Sequence, residues 1–331
     1  MSETVETAAN TASAESTATT EAVPADITPI DEELLAAIAG IHGMPKGAFN
    51  IRKDGELVER HSSANIEIAT KTDHPGIDIH IKPGTKGETV FIPVIVTQSG
   101  LKDVVYNTFY IGEDCDINII AGCGIHNSSH AASEHDGIHT FYCGKNSHVK
   151  YVEKHYGEGE GTGERILNPV TNVIMEEGSS CEMEMIQLRG VTSTVRDTNA
   201  ELAEGARLVL TEKLMTHDSQ TATSNMKVEL NGEDSSVQVI SRSVAQDDSV
   251  QIFNPLVIGN AACRGHVQCD AIIMGNAKVT AIPGIEAASE DAQLVHEAAI
   301  GKIAGEQIVK LMTLGLTEEE AEEEILEDFL N

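Results

Sequence analysis

The sequence predicts a mainly β fold, and within that class a parallel β-helix with small helical units at its two ends. From about Ile66 onward, apolar and polar residues alternate in short runs separated by Gly, Pro and Asp, which is typical of many short strands. A glycine followed by small or polar residues and an alternating run recurs every 27 residues, at Gly178, Gly205, Gly232 and Gly259. A fixed period of this length, without helical patterns between the runs, indicates a solenoid in which each coil packs against its neighbours.

A Greek-key β-sandwich is the alternative fold, because it also places turns about every 8–12 residues. In a sandwich, however, several turns at equal intervals would be a coincidence. The equal spacing of the four glycines therefore favours the parallel β-helix.

The N-terminal part of the chain divides into two segments. Residues 1–27 are rich in Thr, Ala, Ser and Glu without a hydrophobic period, which predicts a disordered acidic tail. Residues 28–60 are predicted to form a helix and a linker. The helix signals are a cap, a proline in the first turn, three apolar residues on one face and a final glycine: Thr28, Pro29, Leu34, Leu35, Ile38 and Gly40.

The solenoid is predicted to cover residues 61–288 and to be followed by a helical domain over residues 289–331. The first helix of that domain is predicted to start at Ser289 and to continue through Ile303, because apolar residues recur there at helical spacing.

Two further helices are predicted near the C-terminus. One covers about residues 306–314 and ends at Gly315, and the other has a capping box of Thr317 and Glu320. No Lys or Arg follows Lys310, so the outer face of this domain is strongly negative. Such a face suits a basic partner surface, although a solvated acidic face is an equal alternative.

The composition excludes several classes of function. The chain has 331 residues, with 53 acidic and 22 basic ones, and a formal net charge of −31, which argues against binding to nucleic acid or to an anionic membrane surface. Aromatic residues make up 3% of the chain and Trp is absent, so base-stacking platforms are not expected. The first basic residue is Lys46, no apolar stretch could span a bilayer, and the six cysteines form no CxxC pair. We therefore expect a cytoplasmic protein with reduced cysteines.

Several catalytic motifs are incomplete. His296 and Glu297 begin an HExxH pattern, but Ile300 stands where the second histidine belongs. The glycine-rich residues 157–163 lack the order of a phosphate loop and carry carboxylates that would repel phosphate. The chain also lacks a GxSxG motif. Any nucleotide hydrolysis must therefore come from a partner subunit.

One segment is dense in residues that could ligate a metal: Cys115, Cys123, His126, His130, His135, His139, Cys143 and His148. Intervening Asn, Ser and Gly residues indicate strands and loops, so most of these histidines are expected to lie on the surface or to form hydrogen bonds. A zinc-binding interaction protein built on this segment is nevertheless an alternative function.

A second group of potential ligands lies near the end of the repeats. In the alternating run 266–272, Val267, Cys269 and Ala271 share one face. Taken alone, Cys269 is more often a small core residue than a ligand. His296 and Glu297 follow it by 27 and 28 residues, which is one repeat, so they are expected to lie close to it. A thiolate, an imidazole and a carboxylate could together hold iron more loosely than four thiolates would.

These segments resemble the SufB/SufD family of iron–sulfur cluster assembly proteins. Residues 265–275 are similar to the QCD strand of SufB, and residues 295–303 to the HEA block that closes SufB and SufD. Residues 306–307 and 315–321 continue that block. Further upstream, Gly122 with Cys123, His139 and residues 165–168 resemble the GC, LHA and ILN elements of the same core.

The resemblance, which covers roughly residues 112–330, implies a right-handed parallel β-helix and a scaffold function. It implies that Cys269 and Glu297 hold a transient [4Fe–4S] or [2Fe–2S] cluster, with His296 as an additional ligand. It further implies that Cys123 accepts persulfide sulfur and that His139 lines the sulfur path. Cys269 favours SufB over SufD, in which this strand generally lacks the cysteine.

The resemblance also implies partners. The C-terminal helices are expected to dock a SufC-like ABC ATPase, whose closure would pull on them and open the site. The second scaffold subunit would be an identical chain or a SufD-like paralogue. A cysteine desulfurase system would supply sulfur, and apo acceptor proteins would receive the cluster. A β-helix carbohydrate-active enzyme is the remaining alternative, and the scarcity of aromatic residues weighs against it.

Overall fold

The computed structural model describes residues 27–303 and 305–330. It is a mainly β solenoid of about eight turns, which confirms the predicted fold class. Apart from Ile27, the predicted acidic tail lies outside the described residues.

The described residues form three helices and 21 strands. They are α1 (Pro29–Ala39), β1 (Ala48–Lys53), β2 (Glu56–His61), β3 (Ile66–Thr70), β4 (Gly76–Ile81), β5 (Lys86–Val96), β6 (Lys102–Ile111), β7 (Asp116–His126), β8 (Ser133–Cys143), β9 (His148–Glu158), β10 (Arg165–Leu167), β11 (Val170–Met175), β12 (Ser180–Arg189), β13 (Ser193–Leu202), β14 (Arg207–Thr216), β15 (Thr221–Leu230), β16 (Ser236–Ala245), β17 (Val250–Gly259), β18 (Arg264–Ile273), β19 (Lys278–Ala281), β20 (Gly284–Ala287), β21 (Gln293–Gly301), α2 (Gly305–Met312) and α3 (Glu318–Leu330).

The strands form two long sheets that face each other across the core. Sheet A has the order β2-β1-β5-β7-β9-β12-β14-β16-β18-β21. Sheet B has the order β19-β17-β15-β13-β10-β8-β6-β4-β3, with β11 and β20 alongside. The hairpins β1–β2 and β3–β4 are antiparallel, and the other pairs are parallel. We call the side of each sheet that faces the core its inner face and the opposite side its outer face.

The coils do not share one length. Along sheet A, Ser180 pairs with Arg207, Arg207 with Ser236, Ser236 with Arg264 and Arg264 with Gln293, which are steps of 27, 29, 28 and 29 residues. The prediction of a constant 27-residue coil is therefore wrong. Gly178 and Gly205 occupy equivalent turns of successive coils and have positive φ. In the next coil, the residue with positive φ at the equivalent turn is Asp234 and not Gly232.

The N-terminal helix forms as predicted. Thr28 caps α1, its side chain forms a reciprocal capping box with Asp31, and Gly40 ends the helix with a left-handed conformation. The apolar face of α1 packs on the outer face of sheet A over the strand that carries Cys123. There Ile38 and Leu34 lie against Gly122 and Gly124, which have no side chains to keep the helix away.

The helix predicted from Ser289 to Ile303 is wrong, because this segment is strand β21 paired with β18. Ser289 and Ala292 form a turn before it, with the Ala292 amide donating to the Ser289 carbonyl at 3.2 Å. Pairing with β18 satisfies the backbone of residues 293–301 along one edge, which outweighs the helix-like spacing of their apolar residues.

The two last helices form close to their predicted positions. Thr317 and Glu320 make the predicted capping box of α3. Leu326 and Leu330 of α3 pack on Val244 at the outer face of sheet A, whereas α2 buries none of its residues. Among the described residues, no helix is long and apolar enough to cross a membrane.

Candidate functional site

Cys269 lies on the inner face of sheet A. Its neighbours Val267 and Ala271 share that face, as the alternation predicts, and all three side chains are buried. Burial raises the pKa of the Cys269 thiol to about 11, and the charges of Asp270 and Glu212 add to this effect. The free thiol is therefore protonated at neutral pH, and a metal ion must displace its proton to bind.

Glu297 does not lie beside Cys269. The last coil is 29 residues long, so Ala298 pairs with Cys269, and Glu297 pairs with Gln268. Because side chains alternate between the two faces of a strand, the carboxylate of Glu297 is on the outer face and the thiol is on the inner face. The expected proximity of these two residues within one chain is therefore not present in this register.

On the outer face, Glu297 pairs with a histidine that the sequence did not single out. His266 Nε2 lies 2.9 Å from Glu297 Oε1. The neighbouring Gln268 amide donates to Asp270 at 2.6 Å. Gln268, Asp270 and Glu297 border a cleft of about 680 Å³ between β18, β21 and Phe329 of α3. The cleft joins the carboxylate of Glu297 to the C-terminal helices.

His296 is on the same face as Cys269. It pairs with Val267 on the neighbouring strand, and Val267 precedes Cys269 by two residues. The Cα atoms of His296 and Cys269 are therefore about 8 Å apart. His296 Nε2 is buried and has no hydrogen-bond partner. A buried ring nitrogen without a partner is costly unless it binds a ligand. Cys269 and His296 could therefore hold a metal ion together.

Cys123 is buried near the other end of the solenoid. It lies on the inner face of β7 in an apolar cluster with Val94, Leu167 and Val191. Burial raises the pKa of the Cys123 thiol well above its usual value, and the charges of Asp103 and Glu153 raise it further. Six strands of sheet A, counting both ends, run from β7 to β18, so Cys123 and Cys269 are about 24 Å apart along the solenoid axis.

A row of polar side chains lies in the core between Cys123 and Cys269. We call it the interior polar row and define it as His139, Tyr151, Glu153, Arg196, Glu212 and Ser241, all of which are buried. These residues were not recognised from the sequence, except His139. The alternation along each strand could have indicated them, because each one lies an even number of positions from the apolar inner residues of its strand.

Hydrogen bonds connect the row at its Cys123 end. His139 Nδ1 lies 2.7 Å from the Tyr151 hydroxyl, which donates to Glu153 at 3.0 Å. Asn107 contacts the other ring nitrogen of His139 at 3.2 Å. Burial lowers the pKa of His139 to about 4, so the ring is neutral at pH 7. His139 therefore lies inside the core between the two cysteines, at the Cys123 end.

Arg196 connects the row at its centre. Its guanidinium donates to Glu153 at 2.6 Å and lies 3.6 Å from Glu212. The Ser241 hydroxyl donates to Glu212 at 3.3 Å. Glu212, Ser241 and Cys269 occupy neighbouring positions on successive strands. The row therefore ends beside Cys269.

The histidine- and cysteine-rich segment does not converge on one site. His130 contacts Thr162 at 2.5 Å and His148 contacts Ser180 at 2.6 Å, in different parts of the solenoid. Within the described ranges, the one group of three candidate ligands close enough for a metal ion lies elsewhere, at His217, Asp218 and Asp247. The geometry does not support the zinc alternative at the predicted segment.

The glycine-rich residues 157–163 have a structural explanation. Added Cβ atoms at Gly159, Gly161 and Gly163 would lie 2.1–2.5 Å from the backbone of residues 127–131. Glycine is required there because two loops stack directly on each other.

Comparisons with known proteins identify the family of this chain. Residues 106–329 match the family described as SUF system FeS cluster assembly, SufBD core domain. An iron-sulfur cluster assembly SufBD family protein of Archaeoglobus fulgidus is 29% identical over 277 residues, covering 83% of this chain and 73% of the relative. Relatives with the same family name from Methanocaldococcus jannaschii and Pyrococcus horikoshii are each 26% identical, over 88% of this chain and 92% and 84% of their own lengths. The chain belongs to the SufBD family of iron–sulfur cluster assembly proteins.

Proposed function

We propose that this chain is a cytoplasmic scaffold on which an iron–sulfur cluster is assembled and then passed to apo acceptor proteins. The observation that carries the proposal is the pair of Cys269 and His296 on one inner face, with His296 Nε2 buried and unpartnered. The six cysteines are all free, which fits a reducing compartment.

The first step of the proposed mechanism is iron binding at Cys269. Iron replaces the thiol proton, and the ring nitrogen of His296 supplies a second ligand. A site with one thiolate holds a [2Fe–2S] or [4Fe–4S] cluster less firmly than four thiolates do, which suits a cluster that must be transferred.

A one-residue movement of β21 would exchange His296 for Glu297 at the site, because it turns Glu297 inward and His296 outward. Strand side chains alternate with a period of two, so a shift of one residue exchanges the two faces of a strand. If β21 moves by one residue toward its C-terminal end, Glu297 takes the position of Ala298 opposite Cys269. The resulting 28-residue coil has a precedent in this solenoid, since Ser236 pairs with Arg264.

The composition of β21 permits this movement. Its present inner face carries Leu294 and Ala298, and its present outer face carries Val295 and Ala299. Register is weakly specified where both faces have similar polarity. β21 is also the last strand of sheet A in the described part of the chain, so one of its edges is unpaired.

The force for this movement would come from a SufC-like ATPase that binds the C-terminal helices. Val309 and Leu314, which are 60% and 74% exposed, present apolar surface on and just after α2. The chain itself has no phosphate loop, so ATP would be bound and hydrolysed by the partner. Closure of two ATPase subunits would pull α2 and α3 away from β21 along its C-terminal direction.

A second scaffold chain would complete the assembly. The unpaired edge of β21 and the exposed side chains of Val295 and Ile300 are available for pairing with an identical chain or a SufD-like paralogue. A two-fold pair of this kind would place two ATPase-binding domains on one assembly.

Sulfur would enter at Cys123 from a cysteine desulfurase system. Cys123 and Cys269 are too far apart for direct transfer, so the sulfur must travel through the core as sulfide. Two thiols of a reductant convert the Cys123 persulfide to the Cys123 thiol, H₂S and one disulfide, which balances the electrons. The interior polar row offers hydrogen bonds along the way. Beside Arg196, a cavity of about 10 Å³ is lined by Gln187, whose amide atoms have no partner.

The test is anaerobic reconstitution with iron and sulfide, followed by measurement of both elements in the desalted protein. We expect Cys269→Ser to retain almost no iron or sulfide. Cys263→Ser is the matched control, because Cys263 is also a buried free cysteine near β18 and has no proposed role. Equal retention by wild type and Cys269→Ser, or binding of zinc alone, would contradict the proposal.

A further inference from the structure

A stack of exposed rings lies on the outer face of sheet B, away from the candidate site. His80, Tyr110 and Tyr142 occupy the same position on successive strands. The ring centroids are 4.6 Å and 5.4 Å apart, and the rings are within 7° of parallel. Tyr110 is 40% exposed and Tyr142 is 44% exposed. Large aromatic side chains with this exposure are unusual in a chain that contains few of them.

The stack ends at an open cleft. Ile174 follows Tyr142 on the next strand, and both side chains border the cleft. The cleft has a volume of about 430 Å³. Besides Tyr142 and the apolar Ile174, it is lined by the polar residues Thr140, Asn172, Asn199, Glu201, Lys227 and Glu229.

Within the cleft, carboxylates continue the row of positions that begins with His80, Tyr110 and Tyr142. Ile174 pairs with Glu201, and Glu201 pairs with Glu229. Two like charges at directly neighbouring positions of adjacent strands are unfavourable. Lys227 is the one cation among them. Lys227 forms an ion pair with Glu229. The hydrogen bond and charge of Glu229 raise the pKa of Lys227, and the charges of Glu201 and Glu286 raise it further by smaller amounts. The cleft therefore has an excess of negative charge.

We propose that this surface, which we call the Tyr142 cleft and define by Tyr142, Ile174, Glu201 and Glu229, docks an arginine-containing basic segment of a partner protein. A guanidinium is planar, so it can pack on the exposed part of the Tyr142 ring that borders the cleft and interact with its π-system. Charge complementarity favours this partner, because the cleft and the whole chain, at −31, are negative.

The spacing of the cleft defines the segment that fits. Glu201 lies two strands beyond Tyr142, which is about 10 Å. Three residues of an extended peptide in the polyproline II conformation span about 9 Å and make one turn, so side chains three positions apart point to the same side. A segment with one arginine on Tyr142 and a second basic residue three positions along would therefore reach the carboxylate of Glu201. An anionic partner, such as a nucleotide phosphate, would be repelled by the same groups.

This inference does not depend on cluster assembly, and peptide binding tests it directly. The probe is a labelled nine-residue extended peptide with two arginines three positions apart, compared with the same peptide carrying lysines. Binding to the full chain is measured by fluorescence anisotropy at physiological ionic strength. We expect the arginine peptide to bind more tightly, Tyr142→Ala to weaken it about fivefold, and Tyr142→Ala to change the lysine peptide less.

Glu201→Gln is the second variant, because Glu201 is exposed and its substitution does not threaten the fold. It should weaken both peptides. Glu182→Gln is the matched control, since it removes one exposed carboxylate from the outer face of sheet A. The proposal fails if Glu201→Gln binds the arginine peptide as wild type does. It also fails if Glu182→Gln weakens binding equally, because binding would then reflect only the net charge.

Discussion

Arg196 is the residue on which the interior of the solenoid depends most. Its guanidinium is buried between Glu153 and Glu212 and neutralises part of their charge. The Arg196 charge also helps to hold the pKa of Glu153 below its usual value, although burial alone would raise it. Buried charges of this kind are tolerated only when each has its partner.

We expect Arg196→Met to lower the free energy of unfolding by about 3–5 kcal/mol, because two buried carboxylates lose their counter-charge. Urea denaturation at pH 7 measures this effect. Adding Glu153→Gln to Arg196→Met should recover part of the loss. A double variant as unstable as the sum of the two single variants would contradict the proposed coupling.

The buried histidines make stability depend on pH. Burial lowers the pKa values of His139 and His155 to about 4 in the folded chain, against about 6.5 in an unfolded one. Between these values the unfolded chain binds more protons, so stability falls as the pH decreases from about 7 toward 4. The lowered pKa of Glu153 acts in the same direction at still lower pH, where its carboxylate becomes protonated first in the unfolded chain.

His155→Gln should therefore reduce the difference between the urea midpoints at pH 7 and pH 5. His148→Gln, at an exposed histidine, should leave that difference unchanged. The account of the buried histidines would be wrong if both variants showed the same pH dependence as wild type.

At the scale of residues, alternation predicted which side chains face inward but not what surrounds them. The orientation of Cys269 with Val267 and Ala271 followed directly from the period of two. Glu153 and Arg196 also occupy inward-facing positions in the alternation of their strands. A charged residue is nevertheless expected to face solvent unless its partner is known. That partner comes from the opposite sheet, and sequence spacing alone does not show it.

At the scale of elements, α1 depends on the absence of side chains beneath it. A Cβ atom added at Gly122 would lie 2.6 Å from the Lys154 carbonyl oxygen and 3.0 Å from Ile38. We expect Gly122→Ala to displace α1 and to cost about 1–3 kcal/mol of stability, measured by urea denaturation.

Gly301→Ala is the control for this prediction, because an added Cβ there would have no atom within 4 Å. It should change stability by less than about 0.5 kcal/mol. Equal effects of the two substitutions would show that α1 does not pack closely on β7.

β21 shows why one element was predicted incorrectly. Val295 and Ala299 are apolar on one face, and Leu294 and Ala298 are apolar on the other, so the strand lacks clear alternation. These four residues also fit one face of a helix. The pairing with β18 decides the structure, and pairing between distant segments is not visible in local spacing. The capped helices α1 and α3 were predicted correctly because their signals are local.

At the scale of the whole molecule, the solenoid separates two chemical tasks. Cys123 lies near one end under α1, and Cys269 lies at the other end beside the C-terminal helices. The repeat predicted this elongated form, but it did not predict the unequal coils. A 27-residue last coil would pair His296 with Cys269, whereas the observed 29-residue coil pairs Ala298 with it. Glu297 faces outward for both lengths, because side chains alternate with a period of two, and only a 28-residue coil turns it inward.

The proposed movement of β21 joins these observations into one mechanism. At rest, Glu297 is paired with His266 on the outer face, while Cys269 and His296 share the inner face. A pull on α2 and α3 would bring Glu297 to Cys269 when the ATPase partner closes. The central claim is therefore that the side chains of Cys269 and Glu297 lie on opposite faces in the isolated chain. They become neighbours when the ATPase partner closes.

Disulfide trapping in the variant Glu297→Cys tests this claim most directly. The chain is treated with a mild thiol oxidant, alone and together with the ATPase partner and ATP, and the disulfide between positions 269 and 297 is quantified by mass spectrometry. We predict no such disulfide in the isolated chain and a clear one in the complex with ATP. A disulfide in the isolated chain would contradict the observed register, and its absence in both states would contradict the movement of β21.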